Sequence, residues 1–314
     1  MWLYLAVLGA FSFLYQWYWK RQTVENLTEK FVFITGCDSG FGNHLAKQLD
    51  GKGMRVLAAC HRKEGAELLK KTTSDRLKTT VLELTSTESV AAAAEWVKQC
   101  VGDKGLWGLV NNAGTTKPSG PNEWLTKDDF AKLINVNLLG LIDVTLQLLP
   151  LLKRARGRVV NVSSLGGRVA LFGGGYSPSK YGLEAFSNTL RQELHHFGVR
   201  VSIIEPGFFI TNAHRNSEET LRDIWKHLPS HLKESYGQQY LEDYCNRYNF
   251  VFKHASEDLR VVSDSMEHAL TSTYPHTRYM PGFISPLILL FNSLPDTITD
   301  RLVIWCYPKP AQAI

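Results

Sequence analysis

The stretch GGGYSPSKYG, residues 173–182, places Tyr176 four residues before Lys180. On a helix, side chains at this spacing lie on the same face. An ammonium group near a phenol favours the phenolate, so Lys180 is expected to lower the pKa of Tyr176 from about 10 and make it a usable proton donor and acceptor. The alternative is a surface helix that carries the spacing by chance, and the pattern alone leaves both interpretations open.

The segments around this pair alternate between strand-like and helical patterns. The apolar, strand-like runs are FVFITG, MRVLAAC, TTVLEL, LWGLVNNAG, GRVVNVSS and VRVSIIEPG, with amphipathic helical runs between them. This alternation is typical of a parallel sheet with right-handed crossovers. We therefore predict an α/β fold with a doubly wound, Rossmann-like parallel sheet, in a single domain over residues 30–280 with a helical insertion after Thr211.

The first predicted strand ends in TGCDSGFG, in which Gly36, Gly40 and Gly42 open the following helix. Glycines at such a turn let the backbone approach a pyrophosphate closely, and the helix N-terminus favours its negative charge. A plain glycine turn is the alternative. Because strand, turn and helix occur in the order that a dinucleotide requires, the pattern predicts a dinucleotide site.

Composition and charge exclude several other classes of protein. The 314 residues are 44% hydrophobic, which is enough for a sizeable core. The net charge of +5 is small and the basic residues are scattered, so nucleic acid is not an expected partner. The five cysteines are widely spaced and include no C-x-x-C pair, which predicts neither a disulfide framework nor a metal site.

The N-terminal segment, residues 1–19, carries no charge and is followed by Lys20 and Arg21. As a helix it would span about 28 Å, close to a hydrocarbon core of about 30 Å. We predict an uncleaved membrane anchor over 1–19 and a linker over 20–29, with a buried N-terminal helix as the alternative. The apolar run FISPLILLF is too short to span, so 281–314 is predicted to be a membrane-associating segment and tail. The basic pair predicts that the downstream domain faces the cytoplasm.

Several motifs, in this order along the chain, resemble those of the short-chain dehydrogenase/reductase family. They are TGCDSGFG, NNAG at 111–114, Asn137 in INVN, Ser164 in NVSS, YSPSK at 176–180 and PGFFIT at 206–211. Over residues 28–310, phrases such as ARGRVVNVSS and PKPAQAI are most similar to the membrane-bound vertebrate retinol and 3α/17β-hydroxysteroid dehydrogenases. The resemblance implies an endoplasmic reticulum enzyme that transfers hydride between a nicotinamide and a hydrophobic alcohol, a retinol or a hydroxysteroid.

The resemblance also implies a catalytic set of four residues. Tyr176 is expected to act as acid and base and Ser164 to hydrogen-bond the substrate oxygen, so both would contact the substrate. Lys180 would hold the nicotinamide ribose, and Asn137 would hold a water that links the lysine to solvent. The spacing between Ser164 and Tyr176 is one residue shorter than in many family members, which leaves Ser163 open as the substrate contact.

The cofactor is expected to bind along the glycine loop and the carboxyl ends of the strands, and no metal is predicted. The residues expected to contact it are Gly36, Asp38, Ser39, Gly40, Phe41, Gly42, Glu83, Asn112, Ala113, Gly114, Tyr176, Lys180 and Thr211. Asp38 would repel a 2′-phosphate, whereas His61 and Arg62 could attract one. NAD is the predicted cofactor, and NADP is the alternative. Glu83 stands where the family usually has an aspartate near the adenine.

The segment 212–280 is predicted to form a lid over the substrate. It contains the aromatic residues Trp225, Tyr236, Tyr240, Tyr244, Tyr248, Phe250 and Phe252. These could either wall a flat apolar substrate or pack the lid helices together. The expected partners are a hydrophobic alcohol, ketone or aldehyde and the membrane, and a homodimer is compatible with the sequence. A catalytically idle family member that binds lipid or a partner protein is the alternative, and the intact catalytic set argues against it.

Overall fold

The computed structural model describes residues 22–212, 216–282, 290–291 and 293–313. The predicted anchor, residues 1–19, lies outside the described residues, as do residues 283–289 of the apolar run FISPLILLF.

Seven parallel strands form a sheet in the order β3-β2-β1-β4-β5-β6-β7. They are β1 Phe31–Thr35, β2 Arg55–Cys60, β3 Lys78–Val81, β4 Gly108–Asn111, β5 Arg158–Val162, β6 Arg200–Ile204 and β7 Arg278–Tyr279. The strand order reverses between β1 and β4, where doubly wound sheets open a crevice for a dinucleotide at the strands' carboxyl ends. The predicted α/β fold with a doubly wound parallel sheet is confirmed, and β7 extends the sheet beyond the predicted strands.

Helices cover both faces of the sheet. They are α1 Gly40–Gly51, α2 Lys63–Lys71, α3 Thr87–Val101, α4 Lys127–Ile134, α5 Leu141–Ala155, α6 Tyr176–Glu193, α7 Ser217–His227, α8 Ser230–Tyr236, α9 Gln238–Lys253, α10 Arg260–Thr271 and α11 Asp296–Cys306. A π-helical turn, Asn135–Gly140, joins α4 to α5. Such turns occur often at functional sites, and this one carries Asn137.

Two apolar layers hold these helices to the sheet. Along β1, Val32 and Ile34 face the layer built with α1, α2 and α10, whereas Phe31 and Phe33 face the layer built with α3 and α5. Strands that are buried on both faces need apolar residues at nearly every position. This is why the strands could be recognised as continuous apolar runs.

Residues 127–155 form the one helical stretch, within the described part of the chain, whose length and composition would allow it to cross a membrane. Leu133 and Leu141 are buried, and Leu148 and Leu152 belong to the apolar layer against the sheet. The stretch is therefore a core helix of the domain.

Helices α7 to α10, which follow Thr211, pack in two different places. Helices α7, α8 and α9 pack around Trp124 in a separate apolar group, the lid cluster, whose buried members are Trp124, Leu221, Trp225, Leu228, Tyr240, Leu241, Tyr244 and Cys245. Helix α10 instead buries Val262 and Met266 in the sheet layer beside α1.

Candidate active site

Tyr176 is the first residue of α6, and Lys180 lies one turn later. Pro178 therefore falls in the first turn, where its missing N–H breaks no helical hydrogen bond. Lys180 is 5% exposed and its Nζ donates to the carbonyl of Val162, at the end of β5, at 2.8 Å. The same Nζ lies 5.8 Å from the ring centroid of Tyr176. The helix start and the end of β5 thus bring the phenol and the ammonium group together.

Ser164 follows β5, and its hydroxyl and the Tyr176 ring both lie beside Gly166, where a Cβ would be 3.5 Å from Ser164 Oγ and 3.1 Å from Tyr176 Cε1. The Ser164 Oγ accepts from the N–H of Gly166 at 3.0 Å, which fixes the hydroxyl on the side of the tyrosine. Ser163 is 3% exposed, and its Oγ has no hydrogen-bond partner within the described residues. Of the two serines left open by the sequence, the geometry favours Ser164.

The pKa of Tyr176 is raised by burial, and its interaction with Ser164 acts in the opposite direction. Burial also lowers the pKa of Lys180 to about 8, against the opposing charge of Glu184. We expected Lys180 to lower the pKa of Tyr176. Instead the lysine Nζ donates to the Val162 carbonyl, 5.8 Å from the tyrosine ring centroid, and burial holds the pKa of Tyr176 above its usual value.

Asn137 is fully buried behind the site. Its Oδ1 accepts from the N–H of Thr115 at 2.8 Å, and its Nδ2 donates to the Thr115 carbonyl at 2.8 Å and to Ser179 Oγ at 3.2 Å. A Cβ placed on Gly114 would lie 3.1 Å from Asn137 Oδ1 and 3.8 Å from Lys180 Nζ. Asn137 therefore ties the segment after β4 to α6, close to the lysine.

The glycine loop packs at backbone distance against the segment that follows β4. Gly36 has a φ of +73°, and a Cβ there would lie 2.7 Å from the Cα of Ala113. A Cβ on Gly42 would lie 2.4 Å from Nδ2 of Asn112, which donates to the Gly36 carbonyl at 3.1 Å. Only glycine permits these approaches, so the cradle predicted from TGCDSGFG and NNAG depends on both segments.

Thr35 is a site residue that the sequence pattern did not single out. Its Oγ1 accepts from the N–H groups of Asn112 and Ala113, both at 3.1 Å. This hydroxyl holds the ends of β1 and β4 at the distance that the cradle needs. Its place immediately before Gly36 is the signal that could have revealed it.

Asp38 and Glu83 lie at the far end of the cradle. The carboxylate of Asp38 accepts from the backbone N–H groups of His61 at 2.7 Å and Arg62 at 3.1 Å, at the end of β2. Glu83 contacts the His61 ring at 2.8 Å and accepts from Thr85, whose N–H and hydroxyl are the main reason that the pKa of Glu83 is lowered.

A cavity of about 950 Å³ unites these groups. The predicted site residues that line it are Gly36, Asp38, Ser39, Gly40, Phe41, Glu83, Asn112, Ala113, Gly114, Ser164, Tyr176, Lys180 and Thr211. Gly42 and Asn137 do not line it but support its wall from behind. Across the described segments, no group of three or more His, Cys, Asp and Glu side chains could hold a metal ion.

The lid aromatics fall into two groups. Trp225, Tyr240 and Tyr244 are buried in the lid cluster, and Tyr236 packs against it. Tyr248 and Phe252 line the cavity, where their ring centroids are 4.6 Å apart. Phe250 is exposed. Some aromatic residues of the segment therefore pack the lid helices together, whereas Tyr248 and Phe252 line the cavity.

Phe172, which the sequence did not identify, joins the cavity wall. It precedes Tyr176 in the loop after β5, and its ring lies 5.7 Å from that of Tyr248. Phe208 also lines the cavity and makes an edge contact with Phe252 at 6.0 Å. These four aromatic rings, from three parts of the chain, form the aromatic wall of the cavity.

Comparisons with known proteins agree with this geometry. Residues 30–222 match the family described as short chain dehydrogenase. The chain is 54% identical to retinol dehydrogenase 16 and 52% identical to 17-beta-hydroxysteroid dehydrogenase type 6, both from Homo sapiens, over 100% of this chain and of each relative. A crystal structure of a short-chain dehydrogenase from Streptomyces avermitilis, 27% identical, covers 88% of this chain and 96% of its own with a TM-score of 0.70. The chain belongs to the short-chain dehydrogenase family and is an NAD(P)-dependent oxidoreductase.

Proposed function

We propose that the protein transfers hydride between NAD and a hydrophobic alcohol, either a hydroxysteroid or a retinol. The observation that carries the proposal is that one cavity is lined by Ser164, Tyr176 and Lys180 together with the glycine cradle and the aromatic wall. The names of the full-length relatives indicate these same two classes of substrate.

The catalytic residues divide the proton chemistry between them. In the oxidative direction, Ser164 donates to the substrate oxygen and Tyr176 accepts the hydroxyl proton as the C–H bond breaks. Bound nicotinamide dinucleotide supplies the hydride acceptor and, in its oxidised form, a positive charge. Lys180 would contact the ribose, while Asn137 bonds Thr115 and Ser179 and so holds the segment after β4 against α6 beside the lysine.

The cradle supports a dinucleotide because Gly36 and Gly40 line the cavity at the start of α1, where a helix N-terminus favours a pyrophosphate. A Cβ on Gly36 or Gly42 would meet backbone or amide atoms below 3.0 Å, so only glycine lets this loop pack against the segment after β4. Asp38 supports NAD over NADP, because its carboxylate lies at the end of β2, where a 2′-phosphate would be repelled. The His61 ring is already paired with Glu83, which reduces its attraction for a phosphate.

The aromatic wall supports a flat, apolar substrate. The ring of Tyr248 contacts the rings of Phe172 and Phe252. Such rings offer few polar atoms to a small sugar or acid. We propose that the lid proper comprises α7 to α9, since α10 packs in the sheet layer.

A substrate panel tests the function. Detergent-solubilised protein is incubated with NAD and a set of retinoids and hydroxysteroids, and NADH formation is measured. Turnover of at least one class, absent from the Tyr176→Phe variant, is the expected result. Tight ligand binding without turnover by the wild type would instead support the idle, lipid-binding alternative.

We also propose that the enzyme is attached to the endoplasmic reticulum membrane. The uncharged run 1–19 supports an anchor. Helix α11 supports a second contact, because Ile298, Leu302 and Trp305 are 46%, 46% and 86% exposed and their spacing puts them on one helix face.

Two experiments on microsomes test this attachment. Deletion of 1–19 should weaken but not abolish retention of the protein, and changing Ile298, Leu302 and Trp305 to Ser in the deleted protein should release the remainder. Protease added to sealed microsomes should digest the wild-type domain, because Lys20 and Arg21 favour a cytoplasmic face. Full protection until detergent is added would contradict that orientation.

A further inference from the structure

We infer that Tyr307, in the C-terminal tail, is a positioning residue for the substrate-side loop of the active site; the inference rests on the proposed function. The phenol of Tyr307 donates to the carbonyl of Leu171 at 2.6 Å. These two residues are far apart in the sequence, and Tyr307 immediately follows α11. Leu171 and its neighbour Phe172 both line the cavity.

The loop held by Tyr307 links the two catalytic hydroxyls. It runs from Ser164 to Tyr176, and hydrogen bonds from other segments hold it at intervals. The hydroxyl of Tyr181 donates to the carbonyl of Arg168, and the hydroxyl of Ser119 donates to the carbonyl of Gly173 at 3.1 Å. Between those two points, the hydrogen bond from Tyr307 fixes the part of the loop that carries Phe172 into the aromatic wall.

The tail itself is tied to the lid. The N–H of Ala311 donates to the Tyr236 carbonyl at 2.9 Å, and the N–H of Gln312 donates to the Ser235 carbonyl at 3.0 Å. The ring of Tyr307 packs against the lid cluster, 6.5 Å from that of Tyr244. The tail therefore connects the end of α8 to the loop across the cavity, so that lid and loop are held in one arrangement.

This placement predicts which kinetic constant depends on Tyr307. Ser164 is fixed by β5 and Tyr176 by α6, so loss of the Tyr307 hydroxyl should leave the acid–base chemistry intact. The aromatic wall should instead lose its fixed shape, which matters to a substrate large enough to reach Phe172. A small alcohol that occupies only the space beside Ser164 should not be affected.

Tyr307→Phe tests the inference, with Tyr240→Phe as the matched control. Tyr240 lies in the same lid cluster, and its hydroxyl makes no hydrogen bond within the described residues. For Tyr307→Phe, KM for a hydroxysteroid or retinol should rise about five- to tenfold, as expected for a lost hydrogen bond. Its kcat, its KM for NAD and its kcat/KM for cyclohexanol should stay within about twofold of the wild type.

Hydrogen exchange gives a readout that does not need turnover. Peptides covering residues 165–175 should exchange faster in Tyr307→Phe than in the wild type or in Tyr240→Phe. An unchanged KM for the large substrate, an equal loss for the large and small alcohols, or unchanged exchange in that loop would each overturn the positioning role. If the wild type turns over neither alcohol, the proposed function fails, while the exchange measurement still decides the role of Tyr307.

Discussion

Lys180 and Glu184 lie one turn apart on α6, and the two residues are only 5% and 6% exposed. Burial lowers the pKa of the lysine to about 8, and the carboxylate favours its charged form. Glu184 is itself paired with Arg278, and Arg278 also pairs with the buried Glu205. The charge of Lys180 is thus supported by an ion cluster that reaches to β7.

This relationship predicts a pH effect for Glu184→Gln. Removing the carboxylate should lower the pKa of Lys180 further below about 8, so the lysine loses its proton at lower pH. The high-pH fall in kcat/KM should therefore move toward neutral pH by about half a unit or more. Glu193→Gln, an exposed change at the end of the same helix, is the control. A high-pH fall that stays in place would show that Glu184 does not set the charge of the lysine.

Tyr176→Phe removes the phenol oxygen and keeps the ring. Turnover should fall by about 10² or more, because the proton of the substrate then has no positioned acceptor. Cofactor binding and the thermal unfolding midpoint are measured alongside to show that the fold is intact. A rate close to that of the wild type would remove Tyr176 from the mechanism.

Ser164→Ala and Ser163→Ala separate the two adjacent serines. Ser164→Ala should lower kcat/KM by about 10-fold or more, since it removes the expected hydrogen-bond donor to the substrate oxygen. Ser163→Ala should change kcat/KM by less than about threefold, because its Oγ has no hydrogen-bond partner within the described residues. The reverse order of the two effects would assign the substrate contact to Ser163.

Asp38→Asn tests the choice of cofactor. The amide oxygen can still accept from one of the two N–H groups at the end of β2, and the negative charge is gone. The ratio of kcat/KM with NADP to that with NAD should rise by about tenfold as the repulsion of a 2′-phosphate is lost. Glu64→Gln, on the exposed start of α2, is the control. If the ratio does not change, another residue selects the cofactor.

Gly42→Ala tests the close packing of the cradle. The new Cβ would lie 2.4 Å from Asn112 Nδ2 and 2.5 Å from the Gly36 carbonyl oxygen, so one of the two loops must move. We expect weaker NAD binding and a loss of about 1–3 kcal/mol in unfolding free energy. Gly51→Ala in the same helix, where a Cβ meets nothing within 4 Å, should leave NAD binding unchanged and should not lower the unfolding free energy, because alanine is favoured over glycine in a helix. Equal NAD affinity in the two variants would contradict the cradle.

Much of the fold and part of the site could be predicted from local features of the chain. Apolar runs such as FVFITG identify strands because a parallel strand is buried on both faces. The glycines of TGCDSGFG identify the cradle because a backbone conformation and a close approach demand them locally. The spacing of Tyr176 and Lys180 places them on one helix face, but the roles of Ser164 and Asn137 came from the family resemblance.

By itself, the sequence determined the doubly wound sheet, its glycine cradle and the helix that carries Tyr176, since each depends on residues that are neighbours in the chain. The tertiary structure alone decided that the Ser164 hydroxyl and the Tyr176 ring lie together beside Gly166, that burial raises the pKa of Tyr176, and which lid aromatics reach the cavity. It also placed Tyr307 on Leu171. These features depend on burial and on contacts between distant segments, about which spacing and periodicity carry no information.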